Sequence, residues 1–313
     1  MSDFHELTVP GDCPLSVRDY GGSGPGVLLL HGAGRNLEDW TPFAENLVAD
    51  HRVVSMDFRN HGRSGSGPWT WEAVLADVDR VIVATGLIAP ALVGHSLGGM
   101  VGALYAVRGG SVSGVVNLDG YGSGTPDQYV GLDPVVVQEH LRTIQEAAPM
   151  GSPDAAGPLT PDGVSAIVQA HLSQASVLGL PVALELAGVG RSLQDGPDGG
   201  LVVQPSAEDI RELVAALVEV DWMDDVFGRI ESPFLIYRCE ALDGVEGEAL
   251  AFMEAYALGL RRDLDEISAR AANVTVRYLD AHHGLVLTMP EVLAEDTRAF
   301  IAAIDARTPV PVH

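Results

Sequence analysis

Five residues, Gly94-His95-Ser96-Leu97-Gly98, constrain the fold of this chain more than any other segment. Ahead of them, Ala91-Leu92-Val93 is a short apolar run behind Pro90, the pattern of a buried strand. Behind them, Leu97-Gly98-Gly99-Met100-Val101-Gly102-Ala103-Leu104-Tyr105-Ala106 continues as a packed helix. A strand that turns into a helix at one residue forces that residue into a backbone region few side chains tolerate. Neighbours two positions away must then be small, because the helix and strand cross there. A Gly-x-Ser-x-Gly frame in this setting is a nucleophile elbow, with Ser96 presented at its tip.

The rest of the chain alternates in the same way. Leu7–Val9 and Leu15–Tyr20 are predicted to form an opening hairpin through Pro10-Gly11-Asp12. Strands are predicted at Val27–Leu30, Arg52–Phe58, Ala91–Val93, Val112–Leu118, Phe234–Tyr237 and Val274–Leu279. Helices are predicted across Trp40–Val48, capped by Asn36 or Asp39, and across Trp71–Thr85, Glu248–Ala269 and Glu291–Ile304. Strands that alternate with helices of this length imply an α/β protein with a doubly wound, mostly parallel sheet. No fixed-period repeat is evident. From about Tyr121 to Ile230 the alternation stops. Helical patterns at Pro134–Ala147, Gly163–Ser176, Val182–Val189 and Ser206–Val220 are separated by Gly/Pro-rich joints, with no clear buried strand.

Three further blocks accompany the elbow. They are Val27-Leu28-Leu29-Leu30-His31-Gly32-Ala33-Gly34, Asp57-Phe58-Arg59-Asn60-His61-Gly62-Arg63-Ser64, and Ala281-His282-His283-Gly284 with Pro290-Glu291 seven residues after His283. Together they resemble the α/β-hydrolase superfamily from about Val27 to Ala303. Two positions depart from the usual pattern: Asn60 and His282 stand where glycine is common. The resemblance implies an α/β-hydrolase core at 1–120 and 231–313, with an inserted helical cap at 121–230 closing over the serine. An insertion leaving from a strand's carboxyl end sits where the sites of such sheets lie.

Composition bounds the partners. The chain has 313 residues, enough for one large α/β domain with an insertion. Its net charge is −25, from 18 basic and 43 acidic residues, which argues against nucleic acid and against an anionic membrane surface. No run is long and apolar enough to span a bilayer, and the opening Met-Ser-Asp-Phe-His-Glu lacks secretory features, so a cytoplasmic location is expected. Cys13 and Cys239 give no disulfide framework. The expected partner is a small-molecule substrate, with the chain a monomer or homodimer.

A serine hydroxyl is a poor nucleophile at neutral pH and needs a base within reach. The resemblance assigns that base to His283, with His282 as the alternative. It assigns the oxyanion donors to the backbone N–H groups of Leu97 and Ala33. The acid that orients the histidine is left open. Asp119 ends the strand at Val115–Leu118 and precedes a glycine turn, and some family members carry the acid there. More carry it after the next strand, where this chain offers Asp243, one residue late, and Glu240. His31 is expected to tether its loop rather than act as a base. Asp57, Arg59 and His61 lack a third ligand suited to a metal, and structural tethering is the stronger reading. Trp40, Trp69 and Trp71 are candidates for either core or pocket. No nucleotide fingerprint is present.

These readings converge on a serine hydrolase that cleaves a small, largely apolar ester, lactone or thioester without metal or organic cofactor. A carbon–carbon bond hydrolase, a cofactor-free perhydrolase and a slow-turnover ligand-binding receptor share the same scaffold. The family's epoxide hydrolases and dehalogenases use an aspartate nucleophile, against which Ser96 argues.

Overall fold

The computed structural model describes residues 4–147, 158–196, 199–242 and 245–306. The opening hairpin forms as β1 (His5–Val9) and β2 (Leu15–Gly21). β3 (Gly26–Leu30) leads through a 3-10 turn at Leu37–Trp40 into α1 (Thr41–Leu47). Asn36 caps that turn by accepting the Glu38 N–H, whereas Asp39 lies inside it and binds Arg35. β4 (Arg52–Met56) stops two residues early, where the Asp57 carboxylate accepts the N–H groups of Leu37 and Arg63. α2 (Trp71–Thr85) begins at a Thr70 cap and ends at the left-handed Gly86. β5 (Ala91–His95), α3 (Leu97–Val107) and β6 (Gly114–Leu118) follow.

The interval after β6 holds the four expected helices: α4 (Pro134–Ala147), α5 (Pro161–Leu178), α6 (Val182–Ser192) and α7 (Ala207–Val218). It also holds a two-stranded ribbon of β7 (Leu193–Asp195) and β8 (Leu201–Val203), which the sequence reading did not anticipate. Three residues per strand are too few for a period of two to register. The chain then returns through β9 (Phe234–Cys239), α8 (Gly247–Arg270), β10 (Val274–Leu279), the short α9 (Leu285–Thr288) and α10 (Pro290–Asp305).

Eight strands form one sheet in the order β1-β2-β4-β3-β5-β6-β9-β10. Pairing is antiparallel at β1–β2 and β2–β4 and parallel from β4 to β10. Alternate residues of each strand feed opposite faces. Leu28, Leu30, Leu92, Phe234 and Ile236 pack with α2, α3 and α8 on one side. Val27, Leu29, Val93, Leu235 and Tyr237 pack with α1 and α10 on the other. A sheet covered on both faces explains why its central strands read as unbroken apolar runs. Among the described residues no helix is long and apolar enough to cross a membrane.

The strand order reverses about β3. β4 lies on one side of it and β5 on the other. The loops after β3 and β5 therefore diverge and leave a crevice at their carboxyl ends. That crevice receives the Ala33 loop from β3 and the Ser96 turn from β5.

Candidate active site

Ser96 has φ 51° and ψ −116°, outside the regions that side chains ordinarily occupy. Such a conformation costs about 1–3 kcal/mol and persists only where its surroundings enforce it. Here the Ser96 N–H donates to the Leu118 carbonyl at 2.8 Å, fixing the turn to the neighbouring strand. The flanking glycines make the turn sterically possible. A Cβ on Gly94 would lie 2.1 Å from the Gly98 backbone, and one on Gly98 would lie 2.0 Å from the Leu30 carbonyl oxygen.

The first backbone N–H groups of a helix have no partner within it. The Leu97 N–H is such a group, at the start of α3 just after Ser96. The Ala33 N–H, on the facing loop, likewise makes no hydrogen bond among the described residues. Two histidines hold that loop in place. His31 Nε2 accepts the Phe58 N–H at 3.0 Å, and His61 Nε2 accepts the Gly34 N–H at 3.2 Å. Burial pushes both imidazoles down to about 3, so they stay neutral as acceptors. Arg59 makes a two-pronged ion pair with Asp77, and Asp57 binds backbone N–H groups and Arg191. Asn60 stands at φ 65°, a left-handed position that asparagine tolerates better than most residues, which accounts for the replaced glycine.

Asp119 leaves the end of β6 at φ 62°, with its own N–H donating to Tyr237 O at 3.0 Å. Its Oδ2 lies 2.7 Å from His283 Nδ1. Its Oδ1 accepts the Cys239 N–H at 2.7 Å and the Tyr121 hydroxyl at 3.0 Å. Burial pushes the Asp119 carboxyl up, but His283, the Cys239 N–H and Arg238 outweigh it and leave the group below its ordinary value. An ionised carboxylate only accepts, so the proton between the two groups belongs to His283 Nδ1, and Nε2 keeps its lone pair. His95, buried and pushed down to about 3 by desolvation, donates through its Nε2–H to the His283 carbonyl, 2.7 Å away. An acceptor carbonyl makes the His95 nitrogen the donor.

Ser96 and His283 line one cavity of about 200 Å³, with Gly32, Ala33 and the α5 residues Gln174 and Leu178. No hydrogen bond joins the Ser96 hydroxyl to His283 among the described residues. Such contacts are often loose until a substrate is bound.

The other predicted residues lie elsewhere. Glu240 is 42% exposed and pairs with Arg261, away from His283. Asp243 lies outside the described residues. His282 is half-buried and is not among the residues lining the Ser96 cavity. Trp40, Trp69 and Trp71 are core residues, packed in the two clusters that flank the sheet. Sequence reasoning missed Arg35 and Asp39 on the cavity wall, and the buried Arg191 and Glu185 of α6. The pairs Arg35–Glu185 and Arg191–Asp57 join residues 150 and 134 positions apart in sequence, beyond any local pattern.

The comparison with known proteins follows this geometry. A profile described as the alpha/beta hydrolase family matches residues 27–296. The chain belongs to the alpha/beta hydrolase family. Among its relatives in that family, esterase YbfF of Escherichia coli (strain K12) is 27% identical over 154 residues, covering 49% of this chain and 56% of the esterase. Putative carbamate hydrolase RutD of Azorhizobium caulinodans is 35% identical over 94 residues, 29% of this chain and 35% of that protein. The alignable segment thus spans about half of the first relative and a third of the second. In three dimensions the chain is similar to E-2-(acetamidomethylene)succinate hydrolase, with TM-score 0.68 and 22% identity over 96% of this chain and 100% of the other. Its family and these neighbours support hydrolase activity.

Proposed function

We propose that this α/β hydrolase is a serine hydrolase working by two-step acyl transfer on a small, largely apolar carboxylic ester, lactone or thioester. The observation that carries the reading is the 2.7 Å contact between Asp119 and His283 at the edge of a cavity that also contains Ser96.

In this reading His283 Nε2 takes the Ser96 proton as Oγ attacks the acyl carbonyl. The imidazolium that forms is stabilised by Asp119. Negative charge develops on the carbonyl oxygen, where the N–H groups of Ala33 and Leu97 receive it. Each donor of this kind contributes about 3–4 kcal/mol to the transition state in enzymes where it has been removed. Collapse expels the leaving alcohol or thiol, protonated by His283. Water then enters, gives a proton to the same nitrogen as its oxygen attacks the acyl carbon, and the acyl–Oγ bond breaks to release the acid while His283 returns the proton to Ser96.

Substrate size follows from the walls. Leu178, Leu180, Val286 and Leu287 give the cavity an apolar side, and a volume of about 200 Å³ admits only a short acyl group. The segment 121–230 acts as the cap, because α5 supplies part of that wall. The core comprises 1–120 and 231–313.

Steady-state kinetics on p-nitrophenyl esters of increasing acyl length tests the proposal. Multiple turnover that favours short chains, and that disappears in Ser96→Ala, is expected. Turnover that persists in Ser96→Ala, or no turnover of any ester by folded protein, would overturn it.

A further inference from the structure

Arg35 directly follows the loop that carries Ala33, and its side chain lines the cavity that holds Ser96 and His283. It is the one arginine or lysine among the described residues of that wall. A guanidinium beside a nucleophile is well placed to receive a substrate carboxylate, because its planar fork matches both oxygens. Here the protein itself occupies the fork. Arg35 Nε and Nη2 donate to the two oxygens of Asp39 at 2.8 and 2.7 Å. Nη1 and Nη2 donate to the two oxygens of Glu185 at 3.0 and 2.8 Å. Those four bonds take up all but one N–H of the guanidinium.

The two carboxyl groups arrive from different elements. Asp39 lies in the 3-10 turn before α1, and Glu185 comes from α6 in the inserted segment. The Glu185 side chain is fully buried, while those of Asp39 and Arg35 are 5% and 19% exposed. Against burial, His171 and Arg35 hold the Glu185 carboxyl down to about 2, so Glu185 alone cancels the guanidinium charge. Asp39 then takes the donors that Glu185 leaves. A carboxylate entering this cavity would lose its water and meet a cation already paired, with two carboxyl groups beside it.

Resting on the proposed ester hydrolysis, we propose that Asp39 and Glu185 are specificity-determining residues: by occupying Arg35 they restrict the cavity to uncharged acyl groups and exclude those that carry a carboxylate. The remaining wall suits the same class. Leu178, Leu180, Val286 and Leu287 are apolar, and Gln174 is polar without charge. An arginine without these two partners would instead select the half-ester of a dicarboxylic acid.

The test is steady-state kinetics by pH-stat, with full-length protein, on methyl butyrate and monomethyl succinate. Both acyl groups have four carbons, and they differ in a terminal carboxylate. Wild type is expected to prefer methyl butyrate by at least about 10²-fold in kcat/KM. Asp39→Asn and Glu185→Gln each remove one competing carboxyl group and keep its shape. Each should move the succinate-to-butyrate ratio toward succinate by about 10-fold. Adding Arg35→Gln to either variant should abolish that shift. The ratio is the readout because a general loss of activity divides out of it. The two substitutions lie on different elements, so if one variant does not fold the other carries the test. A wild type that hydrolyses monomethyl succinate as well as methyl butyrate would overturn the inference. A ratio unmoved in a folded variant, or a shift that survives Arg35→Gln, would overturn it too. Failure of the hydrolase proposal would show differently, as turnover of neither ester, and would take this inference with it.

Discussion

Asp119 is the residue on which the proposed chemistry turns. It is 3% exposed, and its two oxygens are shared by His283, the Cys239 N–H and Tyr121. An isosteric Asp119→Asn change keeps the shape and removes the charge that selects the His283 tautomer. We expect kcat to fall by about 10³–10⁴-fold with KM little changed, read by steady-state kinetics on the preferred ester. Glu240→Gln should stay within about 3-fold of wild type, because Glu240 pairs with Arg261 in solvent. Of the proposed triad, Ser96 and His283 stand out in the sequence because their neighbours are dictated locally, by the elbow glycines and by the Pro290-Glu291 spacing. The proposed acid does not, because what distinguishes Asp119 from its rivals is its contact with His283, 164 residues away.

Two elements carry most of the site's rigidity. One is the β5–α3 turn, where Gly98 lets the helix approach the Leu30 carbonyl. Gly98→Ala would place a methyl group 2.0 Å from that oxygen. The helix must then shift, at a cost of about 1–3 kcal/mol, and Ser96 moves with it. Reduced urea stability together with lost esterase activity is the expected result. The other element is α6. Arg191 is 1% exposed at its side chain and donates to Asp57 at 2.8 Å, to Glu6 at 2.9 Å and to Ser16 at 2.8 Å. Glu185 binds Arg35 beside the cavity, and its carboxyl is held down to about 2 by His171 and Arg35 against the opposing effect of burial. α6 is thereby bolted to the core rather than hinged over it. Arg191→Met leaves the Asp57 carboxylate buried without its cation and should cost about 3–5 kcal/mol in urea unfolding. The helices themselves were readable from periodicity, and α2 and β10 match their predicted ends. The ion pairs of α6 were not, since charged residues on a helix ordinarily signify a solvated face and only the tertiary fold reveals them as buried.

For the molecule as a whole, the buried histidines link folding to pH. His31, His61 and His95 are each pushed down by burial to about 3, while in the unfolded chain they titrate near the ordinary value of 6.5. Below about pH 6.5 the unfolded state binds protons that the native state refuses. Stability is therefore fully present above that pH and falls as pH drops toward 3, by up to about 1.4 kcal/mol per pH unit for each histidine. Asp39 and Asp57, raised by burial, act in the opposite direction and offset part of that loss. Urea midpoints measured from pH 8 to pH 5 should decline across that interval, and a flat profile would contradict the neutral assignment. The sheet architecture was legible because unbroken apolar strands alternating with amphipathic helices admit few topologies. The burial of three polar rings at the crevice was not, because it depends on the reversal of strand order about β3.

The central claim is that Ser96 is a nucleophile activated by His283 and Asp119. Fluorophosphonate labelling, read by peptide mass spectrometry, tests it most directly. The account predicts a rapid adduct on Ser96, absent in Ser96→Ala and slowed at least about 10²-fold in His283→Ala and Asp119→Asn. Asp243→Asn should label at the wild-type rate. A folded protein that forms no adduct on Ser96, or one that labels equally fast without His283, would contradict it.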